Sequence, residues 1–280
     1  MQVMRFAKGH GTGNDFIVVP DLDDRLSLGA GAVRALCDRR TGIGADGVLR
    51  IVGRESGPAP WFMDYRNADG SVAEMCGNGI RVFARYLLDH GLAAGPELRI
   101  ETRAGVRAVW TEADGNLTVD MGPVTIGPVG WAVAGGRRFR GMRVSVGNPH
   151  LACLVDEPLD GIDLSAPPEV DQAAFPDGVN VEFVRVTGER AAAMRIFERG
   201  SGETLSCGTG AVAAAAAAAA AGELEPGRAG RWTVDVPGGR LAVTPSATAS
   251  LLTGPAVIVA EGETNASWLD DPMARASAAS

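Results

Sequence analysis

Two cysteines in the sequence stand in similar settings that favour acid–base chemistry. Cys76 lies in MCGNG and Cys207 in SCGTG, and a polar, glycine-containing turn precedes each of them. The sequence predicts that a helix begins at each cysteine. A helix N-terminus offers unpaired N–H groups and partial positive charge, which lower a thiol pKa and bind carboxylates. Each segment therefore combines a reactive thiol with an anion site.

Two such thiols on opposite faces of one bound molecule would suit inversion of a carbon that bears an acidic hydrogen. One thiolate removes the proton and the other thiol returns one to the opposite face, which requires pKa values near the working pH. The anion site would stabilise the charge that develops on a substrate carboxylate. The other cysteines, Cys37 and Cys153, lack this setting and are expected to be small buried hydrophobic residues.

The elements around the cysteines are arranged as an internal duplication. FMDYRNADGSVAEMCGNGIRV resembles AMRIFERGSGETLSCGTGAV, and Asn67 and Glu198 each lie nine residues before their cysteine. Two further pairs have nearly the same offset: Gly13-Asn14 with Gly147-Asn148, and the segment near Gly47 with that near Asn180. The repeat predicts two similar domains that face each other, with a ligand in the cleft between them.

Hydrophobic periodicity predicts short strands and few long helices. The expected helices cover residues 28–40, 79–89 and 211–221, with Gly91 and Gly222 at the ends of the last two. Strands are expected at residues 3–6, 16–19, 48–52, 61–65, 98–101, 106–110, 117–121, 142–146, 151–155, 181–186, 192–197, 232–236, 240–243 and 256–260. A Pro/Gly-rich stretch at 121–130 is the candidate link. The predicted domains are 1–127 and 128–262, followed by a C-terminal segment, 263–280, that returns to the N-terminal half and frays after Asp270.

Composition excludes several classes of protein. The chain has 280 residues, a net charge of −8 and 46% hydrophobic residues, so it can build a full core but is a poor nucleic-acid binder. The longest apolar run, the alanines at 213–221, is too short to span a membrane, and the N-terminus does not resemble a signal peptide. The four cysteines are scattered and form no metal-binding motif. We therefore expect a reduced, cytoplasmic protein without a metal.

Several longer motifs resemble the diaminopimelate epimerase family over nearly the whole chain. They are KGHGTGNDFIVV, RNADGSVAEMCGNGIRVFARYL, VGNPH, VNVEF and ERGSGETLSCGTGA. The resemblance implies an α+β fold of two pseudo-symmetric domains, each a curled, mostly antiparallel sheet around a central helix. It also implies cofactor-independent interconversion of LL- and meso-diaminopimelate in lysine and cell-wall precursor synthesis. The implied partners are a small amino-acid substrate and a second copy of the chain in a homodimer.

The resemblance also assigns the site residues. It implies that Cys76 and Cys207 are the catalytic thiols and that His150 and Glu198 assist their ionisation. The implied substrate-binding residues are Asn14, Asn67, Gly77, Asn78, Asn148, Asn180, Arg199, Gly208 and Thr209. One departure is Gly47, where many members of the family carry glutamine.

Two alternatives remain open on the residues alone, and a third is disfavoured. A proline racemase or hydroxyproline epimerase would share the two-thiol scaffold, although its first motif usually reads MCGHG. A thiol–disulfide redox protein or redox-regulated binding module could also use two reactive thiols, although a dedicated one would more often carry CxxC. A pyridoxal-phosphate enzyme needs a Schiff-base lysine, and the single lysine of the chain, Lys8, lies in a glycine-rich loop motif where a structural role is expected.

Overall fold

The chain folds into two compact units. The computed structural model describes residues 3–222 and 230–265. The first unit contains residues 3–117 and 255–265, and the second contains residues 118–222 and 230–254. The units thus divide ten residues earlier than the predicted boundary at 127/128, and the chain returns to the first unit at 255 rather than at 263. The predicted frayed tail after Asp270 lies outside the described residues.

The first unit is built mainly from strands, with two helices. Its elements are β1 (Val3–Gly11), β2 (Asn14–Pro20), α1 (Ala30–Cys37), β3 (Gly47–Gly53), β4 (Trp61–Asn67), α2 (Gly77–Asp89), β5 (Glu97–Thr102) and β6 (Gly105–Thr111). The second unit follows with β7 (Leu117–Gly122), β8 (Thr125–Ala134), β9 (Arg137–Ser145), β10 (Pro149–Leu154), a short 3-10 turn (Leu159–Gly161), β11 (Glu169–Val170), β12 (Asn180–Gly188), β13 (Ala191–Glu198), β14 (Gly202–Thr204), α3 (Gly208–Ala221), β15 (Trp232–Val236), β16 (Gly239–Thr244) and β17 (Ser250–Gly254). The last strand, β18 (Val257–Asn265), belongs to the first unit.

The strands of the two units pair in the same order. In the first unit β1 is antiparallel to β2, β2 is parallel to β3, β3 is antiparallel to β4, β4 is parallel to β5, and β5 is antiparallel to β6. In the second unit β9, β10, β12, β13, β15 and β16 repeat this series of pairings. Each series is extended by one more antiparallel strand: β18 pairs with β1 in the first unit, and β8 pairs with β9 in the second. The duplication in the sequence is therefore a duplication of strand pairing.

A single helix lies against the strands at the centre of each unit. Helix α2 packs its buried side chains, including Ile80, Phe83 and Leu87, on β1 to β4 and β18. Helix α3 is buried from Gly210 to Ala219 and contacts strands on all sides, because alanine side chains allow close approach of a sheet. Each unit is thus a curled, mostly antiparallel sheet around a central helix, and the predicted α+β fold is confirmed.

Both central helices begin earlier than their hydrophobic spacing predicts. Helix α2 starts at Gly77 and α3 at Gly208, directly after the cysteines, whereas the apolar pattern starts at residues 79 and 211. The first turn is formed by glycines and small polar residues, which carry no apolar signal. The predicted end of α2 is confirmed, since Gly91 adopts the left-handed backbone (φ +63°) that follows many helices.

The Pro/Gly-rich stretch at 121–130 is not a link but the end of β7 and the first part of β8. The register of β8 against β9 shifts between Ile126 and Val129, so Pro128 lies at an irregularity where a missing N–H is tolerated. Strands β11, β14 and β17 are also absent from the sequence-based expectation. They are short, and their flanks contain the turn residues that otherwise favour loops.

Among the described residues, none of the helices has both the length and the apolar character that a bilayer crossing requires. The same part of the chain contains no group of three His, Cys, Asp or Glu side chains that could hold a metal ion.

Candidate active site

Each of the two cysteines caps the central helix of its unit. The backbone of Cys76 is extended (φ −138°) and so is that of Cys207 (φ −128°), which ends the preceding segment and lets the helix start at the next residue. The Cys76 Sγ accepts a hydrogen bond from the Gly79 N–H at 3.4 Å. Both sulfurs therefore lie at the positive end of a helix, as the two Cys-Gly-x-Gly motifs predict.

In the first unit the thiol joins a chain of amide side chains. The Cys76 thiol donates to Asn14 Oδ1 at 3.7 Å, and Asn78 Nδ2 donates to the same oxygen at 3.3 Å. Asn14 Nδ2 in turn donates to the Asp46 carboxylate at 2.7 Å. The structure thus brings the predicted residues Asn14, Cys76 and Asn78 into one hydrogen-bonded group.

Charged residues hold Asp46 and therefore Asn14 in place. Arg39 donates to Asp15 at 2.8 Å and to Asp46 at 2.7 Å, and Lys8 pairs with Asp15 at 2.6 Å. Burial opposes ionisation of Asp15, but the hydrogen bonds from Arg39 and Lys8 hold the pKa of its carboxyl well below the usual range. Lys8 therefore has a structural role, as predicted.

A buried arginine lies behind the same amide chain. Arg81 is fully buried and donates to Asn78 Oδ1 and to the Gly77 carbonyl, both at 3.0 Å. Burial lowers the pKa of this guanidinium to about 10, and ionisation of Cys76 would oppose that shift. Cys76 is the N-cap residue of α2 and Arg81 lies within the helix, so both belong to the same helix start.

The remaining predicted residue of the first unit, Asn67, ends β4 and donates to Ser71 Oγ at 3.0 Å. It pairs in the sheet with Gly47, the position that departs from the family pattern. A Cβ atom at Gly47 would lie 2.6 Å from the Arg66 carbonyl and 2.8 Å from Tyr65 Cε2, so a side chain does not fit there without movement. A glutamine at this position would therefore require the local structure around Arg66 and Tyr65 to shift.

In the second unit a series of five hydrogen-bonded residues ends at the thiol. His150 Nδ1 lies 2.5 Å from Glu182 Oε1, and His150 Nε2 lies 3.0 Å from Asn148 Oδ1. Asn148 Nδ2 donates to Thr209 Oγ1 at 3.3 Å, and that hydroxyl lies 3.4 Å from Cys207 Sγ. Of the residues predicted for this unit, Asn148, His150, Cys207 and Thr209 are thus linked directly.

The histidine and its carboxylate partner are both fully buried. Burial raises the pKa of Glu182, and the neighbouring imidazole works against that rise. The second carboxylate oxygen, Glu182 Oε2, has no hydrogen-bond partner within the described residues. The pair is therefore held together by the Nδ1 contact alone.

The Cys207 thiol is disposed to stay protonated. Burial raises its pKa well above the ordinary value, and the negative charge of Glu198 raises it further, against an opposing hydrogen bond from Thr209. Glu198 ends β13, and its carboxylate accepts a hydrogen bond from the Thr204 hydroxyl. The predicted residue Glu198 therefore acts electrostatically on the thiol of its own unit.

The last two predicted residues are joined to each other. Asn180 Oδ1 accepts a hydrogen bond from the Arg199 N–H at 2.9 Å, and Asn180 lies opposite His150 in the parallel register of β10 and β12. The Arg199 side chain is exposed and donates to the Asp177 carbonyl at 2.7 Å. Gly178, with φ +79°, makes room for it, since a Cβ atom there would lie 2.9 Å from Arg199 Cδ.

The motifs did not single out three further residues that lie in these networks: Asp46, Arg81 and Glu182. Glu182 lies within the VNVEF motif, between two hydrophobic residues that are also buried. The usual alternation of buried and exposed residues along a strand therefore does not mark it as a buried polar residue. Arg81 interrupts the apolar face of α2, and this was a usable signal. A charged residue within a buried helical stretch needs a partner or a purpose.

The other two cysteines are buried and chemically inert, as predicted. Burial raises the pKa of Cys37 to about 12 and that of Cys153 to about 12. Neither lies at a helix N-terminus.

Comparison with known proteins places the whole chain in one family. The sequence model of the family described as "Diaminopimelate epimerase" matches residues 6–127 and 142–259. The chain is 55% identical over 279 residues to a diaminopimelate epimerase of Thermobifida fusca, an alignment that covers 95% of this chain and 100% of the relative. It is 50% identical over 284 residues to one of Streptomyces coelicolor, with 96% and 98% of the two chains covered.

Solved structures of more distant proteins share the fold. A hydroxyproline epimerase from Agrobacterium vitis superposes with a TM-score of 0.70 at 17% identity, covering 98% of this chain and 94% of that one. A phenazine biosynthesis protein of the PhzF family from Bacillus anthracis gives a TM-score of 0.70 at 17% identity, with 95% and 100% covered. These structures support the architecture, whereas the family match and the close relatives decide the membership: the chain belongs to the diaminopimelate epimerase family.

Proposed function

We propose that this protein interconverts LL-2,6-diaminopimelate and meso-2,6-diaminopimelate by inverting one α-carbon. The observation that carries the proposal is the placement of Cys76 and Cys207, in a chain of this family, at the N-termini of the two central helices. Each sulfur is attached to its own polar network, so each can gain or lose a proton under the control of nearby groups.

The proposed reaction is a balanced exchange of protons. One cysteine thiolate takes the α-proton of the substrate, and the other thiol gives its proton to the opposite face of the same carbon. The first cysteine leaves this step as a thiol and the second as a thiolate, and no electrons are transferred. The reaction requires that both sulfurs reach the same α-carbon.

The backbone of both helix starts would stabilise the intermediate. Removing an α-proton places negative charge on the substrate carboxylate, and N–H groups at a helix N-terminus bind such charge. The N–H groups of Gly77, Asn78, Gly208 and Thr209 are suited to this role because they belong to the first turns of α2 and α3. His150 and Glu198 would set the protonation of the thiols.

The distal amino-acid end of the substrate needs groups that recognise an ammonium and a carboxylate. Amide side chains both donate and accept, and the Arg199 guanidinium can bind a carboxylate with two hydrogen bonds. The side chains proposed for this end are Asn14, Asn67, Asn148, Asn180 and Arg199.

A cofactor is not required for this chemistry. The one lysine of the chain is paired with Asp15 and also donates to the Gly44 carbonyl, so it is ill suited to a Schiff base. The proposal also includes a cytoplasmic location, a small amino-acid substrate and a homodimeric assembly, which size-exclusion chromatography with light scattering would test.

The decisive experiment is α-hydrogen exchange in heavy water. LL-diaminopimelate is incubated with the purified, reduced protein, and deuterium uptake and formation of the meso isomer are followed by NMR. We expect uptake at one centre, and loss of uptake and of isomer formation in Cys76→Ala and in Cys207→Ala. The matched control is Cys37→Ala, because that buried thiol ends α1, lies outside both helix starts in the sequence and should be dispensable.

Two other outcomes would redirect the proposal. Exchange of proline or hydroxyproline, without exchange of diaminopimelate, would identify a racemase of the related type. A protein that exchanges none of these substrates, or that still turns over diaminopimelate without Cys76, would contradict the two-thiol mechanism.

A further inference from the structure

Asp46 is an exposed residue that joins separate segments of the first unit. Its Oδ2 atom accepts hydrogen bonds from the Asn14 side-chain amide at 2.7 Å and from the Asp15 N–H at 3.2 Å, both at the start of β2. Its Oδ1 atom accepts from Arg39 at 2.7 Å, and its backbone carbonyl accepts from the Ala68 N–H at 3.0 Å. The carboxylate is therefore fixed from several sides.

This carboxylate determines which way the Asn14 amide faces. A carboxylate only accepts hydrogen bonds, so Asn14 must turn its nitrogen toward Asp46 and its oxygen the other way. That oxygen faces the start of α2, where it accepts from the Cys76 thiol at 3.7 Å and from Asn78 Nδ2 at 3.3 Å. The Cys76 sulfur also accepts from the Gly79 N–H, so its contacts include the donor and the acceptor role of a thiol.

Asp46 is the stronger of two anchors for the Asn14 amide. Its contact is short and has a charged acceptor, whereas the contact with Asn78 is longer and joins two neutral amides. Asn78 is in turn oriented by the Arg81 guanidinium, which donates to its oxygen at 3.0 Å. Without Asp46 the Asn14 nitrogen would lose its acceptor, and the amide would be free to turn toward water.

The other charged groups on the surrounding elements have contacts of their own. The ion pairs are Lys8 and Arg39 with Asp15, Arg50, Arg66 and Arg103 with Asp64, Arg85 with Asp89, His90 with Glu261 and Arg5 with Glu263. His10 Nδ1 accepts the Gly13 N–H, and Glu74, two residues before Cys76, is exposed to water. Among the described residues, Asp46 is the charged one that contacts the Asn14 side chain.

The second unit shows that the partner of the amide, rather than the backbone, decides its orientation. Asn148 is equivalent to Asn14, but its nitrogen faces the start of α3 and its oxygen faces His150. The parallel registers of β2 with β3 and of β10 with β12 place the buried Val179 at the position of Asp46. A different partner thus turns the equivalent amide the other way.

We propose that Asp46 is a positioning residue for Cys76: it holds the Asn14 amide with its oxygen toward the sulfur, where that oxygen accepts a hydrogen bond from the thiol and favours its protonated form. The use of this thiol to deliver a proton rests on the proposed function, whereas the state of the thiol can be measured without substrate.

The test is the pH dependence of carboxamidomethylation by iodoacetamide, with Cys76 and Cys207 quantified separately by peptide mapping. Asp46→Ala removes the acceptor and the charge. Asp46→Asn removes the charge alone, because its oxygen can still accept from the two N–H donors of β2 while Arg39 keeps its pairing with Asp15. We expect the Cys76 midpoint to fall by about 0.5 pH unit or more in the alanine variant, equivalent to about a threefold higher rate near neutral pH, and by clearly less in the asparagine variant.

A double-mutant cycle shows whether Asp46 acts through the amide. Asn14→Ala removes the oxygen itself, so the Cys76 midpoint should fall at least as far as in Asp46→Ala. In the Asn14→Ala background, Asp46→Ala should add no more than Asp46→Asn does in the wild type, because groups in one hydrogen-bonded network do not act additively. Val179→Ala, at the equivalent position of the second unit, is the matched control and should leave the Cys76 midpoint unchanged.

Equal Cys76 midpoints in the wild type and in Asp46→Ala would overturn the proposal. Equal shifts in Asp46→Ala and Asp46→Asn would also overturn it, since they would assign the effect to charge, as would an undiminished shift in the Asn14→Ala background. If the alanine variant does not fold, Asp46→Leu, which is close in size, decides by the same criteria. The expected shifts in a protein that does not exchange the α-hydrogen of diaminopimelate would support the positioning role and count against the proposed function instead.

Discussion

The two units repeat the same strand pairings but surround their cysteines with different chemistry. The register of β2 with β3 matches that of β10 with β12, so Phe16 and Leu49 occupy the places of His150 and Glu182. In the first unit Leu49 Cδ2 and Phe16 Cζ lie 3.2 and 3.4 Å from the Cβ position of Gly79. In the second unit Glu182 Oε1 lies 3.1 Å from the Cβ position of the equivalent Gly210.

The charge near each helix start is correspondingly different. At the start of α2 the adjoining strands contribute Asn14 and the apolar pair of Phe16 and Leu49, and the helix contributes a cation, Arg81. Beside Cys207 the strands contribute a buried carboxylate–imidazole pair and Glu198, while the helix contributes Val212. The duplicated backbone supplies the same helix terminus twice, but different side chains surround each sulfur. The amide group of Asn14 contacts Cys76, whereas the negative charge of Glu198 adds to burial in raising the pKa of Cys207.

The largest effect should come from making the second unit resemble the first. Glu182→Leu leaves His150 buried without its partner, and breaking such a pair typically destabilises a protein by about 3–5 kcal/mol. The double variant His150→Phe/Glu182→Leu reproduces the apolar pair of the first unit, so most of that stability should return. We expect α-hydrogen exchange to stay impaired in the double variant.

Urea denaturation and the deuterium assay measure the two properties separately. Phe16→Leu serves as a control of similar burial in the first unit. Full recovery of exchange in the double variant would show that the buried pair matters only for folding.

A smaller effect should come from removing the negative charge beside Cys207. The Glu198 carboxylate raises the pKa of that thiol, so Glu198→Gln should lower it and make the thiolate form at lower pH. The alkylation midpoint of Cys207 should move down while that of Cys76 stays in place. An unchanged or higher Cys207 midpoint would mean that burial alone sets this pKa.

The smallest effect should be on the pH dependence of stability, through Asp15 in the charged cluster that supports Asn14. The pKa of Asp15 is depressed in the folded protein, so its ionised form stabilises the fold at neutral pH, and that contribution is lost as the pH falls below about 4. Asp15→Asn should reduce the free energy of unfolding by about 1–2 kcal/mol at pH 7 and by less at pH 3. Urea titrations at both pH values, with the exposed Asp23→Asn as control, would detect this. A deficit that is equal at both pH values would assign it to packing rather than to charge.

Much of the fold can be predicted because its signals are local. Alternating residues such as those at 98–101 and 232–236 predicted strands, and the apolar spacing of α2 together with Gly91 predicted a helix and its end. The same approach failed at residues 125–134, because glycine and proline within a strand resemble a loop when the partner strand is unknown. The domain boundaries likewise depend on which strands pair, and the motifs do not contain that information.

The sequence by itself determined the duplicated pattern, the position of each cysteine at the start of a helix and the family, because motifs and capping positions are encoded by neighbouring residues. Only the tertiary structure decided what surrounds each sulfur. His150 meets Glu182 because the parallel register places Asn180 opposite His150, which brings the residue two positions further along β12 to the same face. Arg81, Asn78, Asn14 and Asp46 meet because α2 packs across β1 and β2. Such contacts join residues far apart in the chain, and the local periodicity that predicts helices and strands does not specify them.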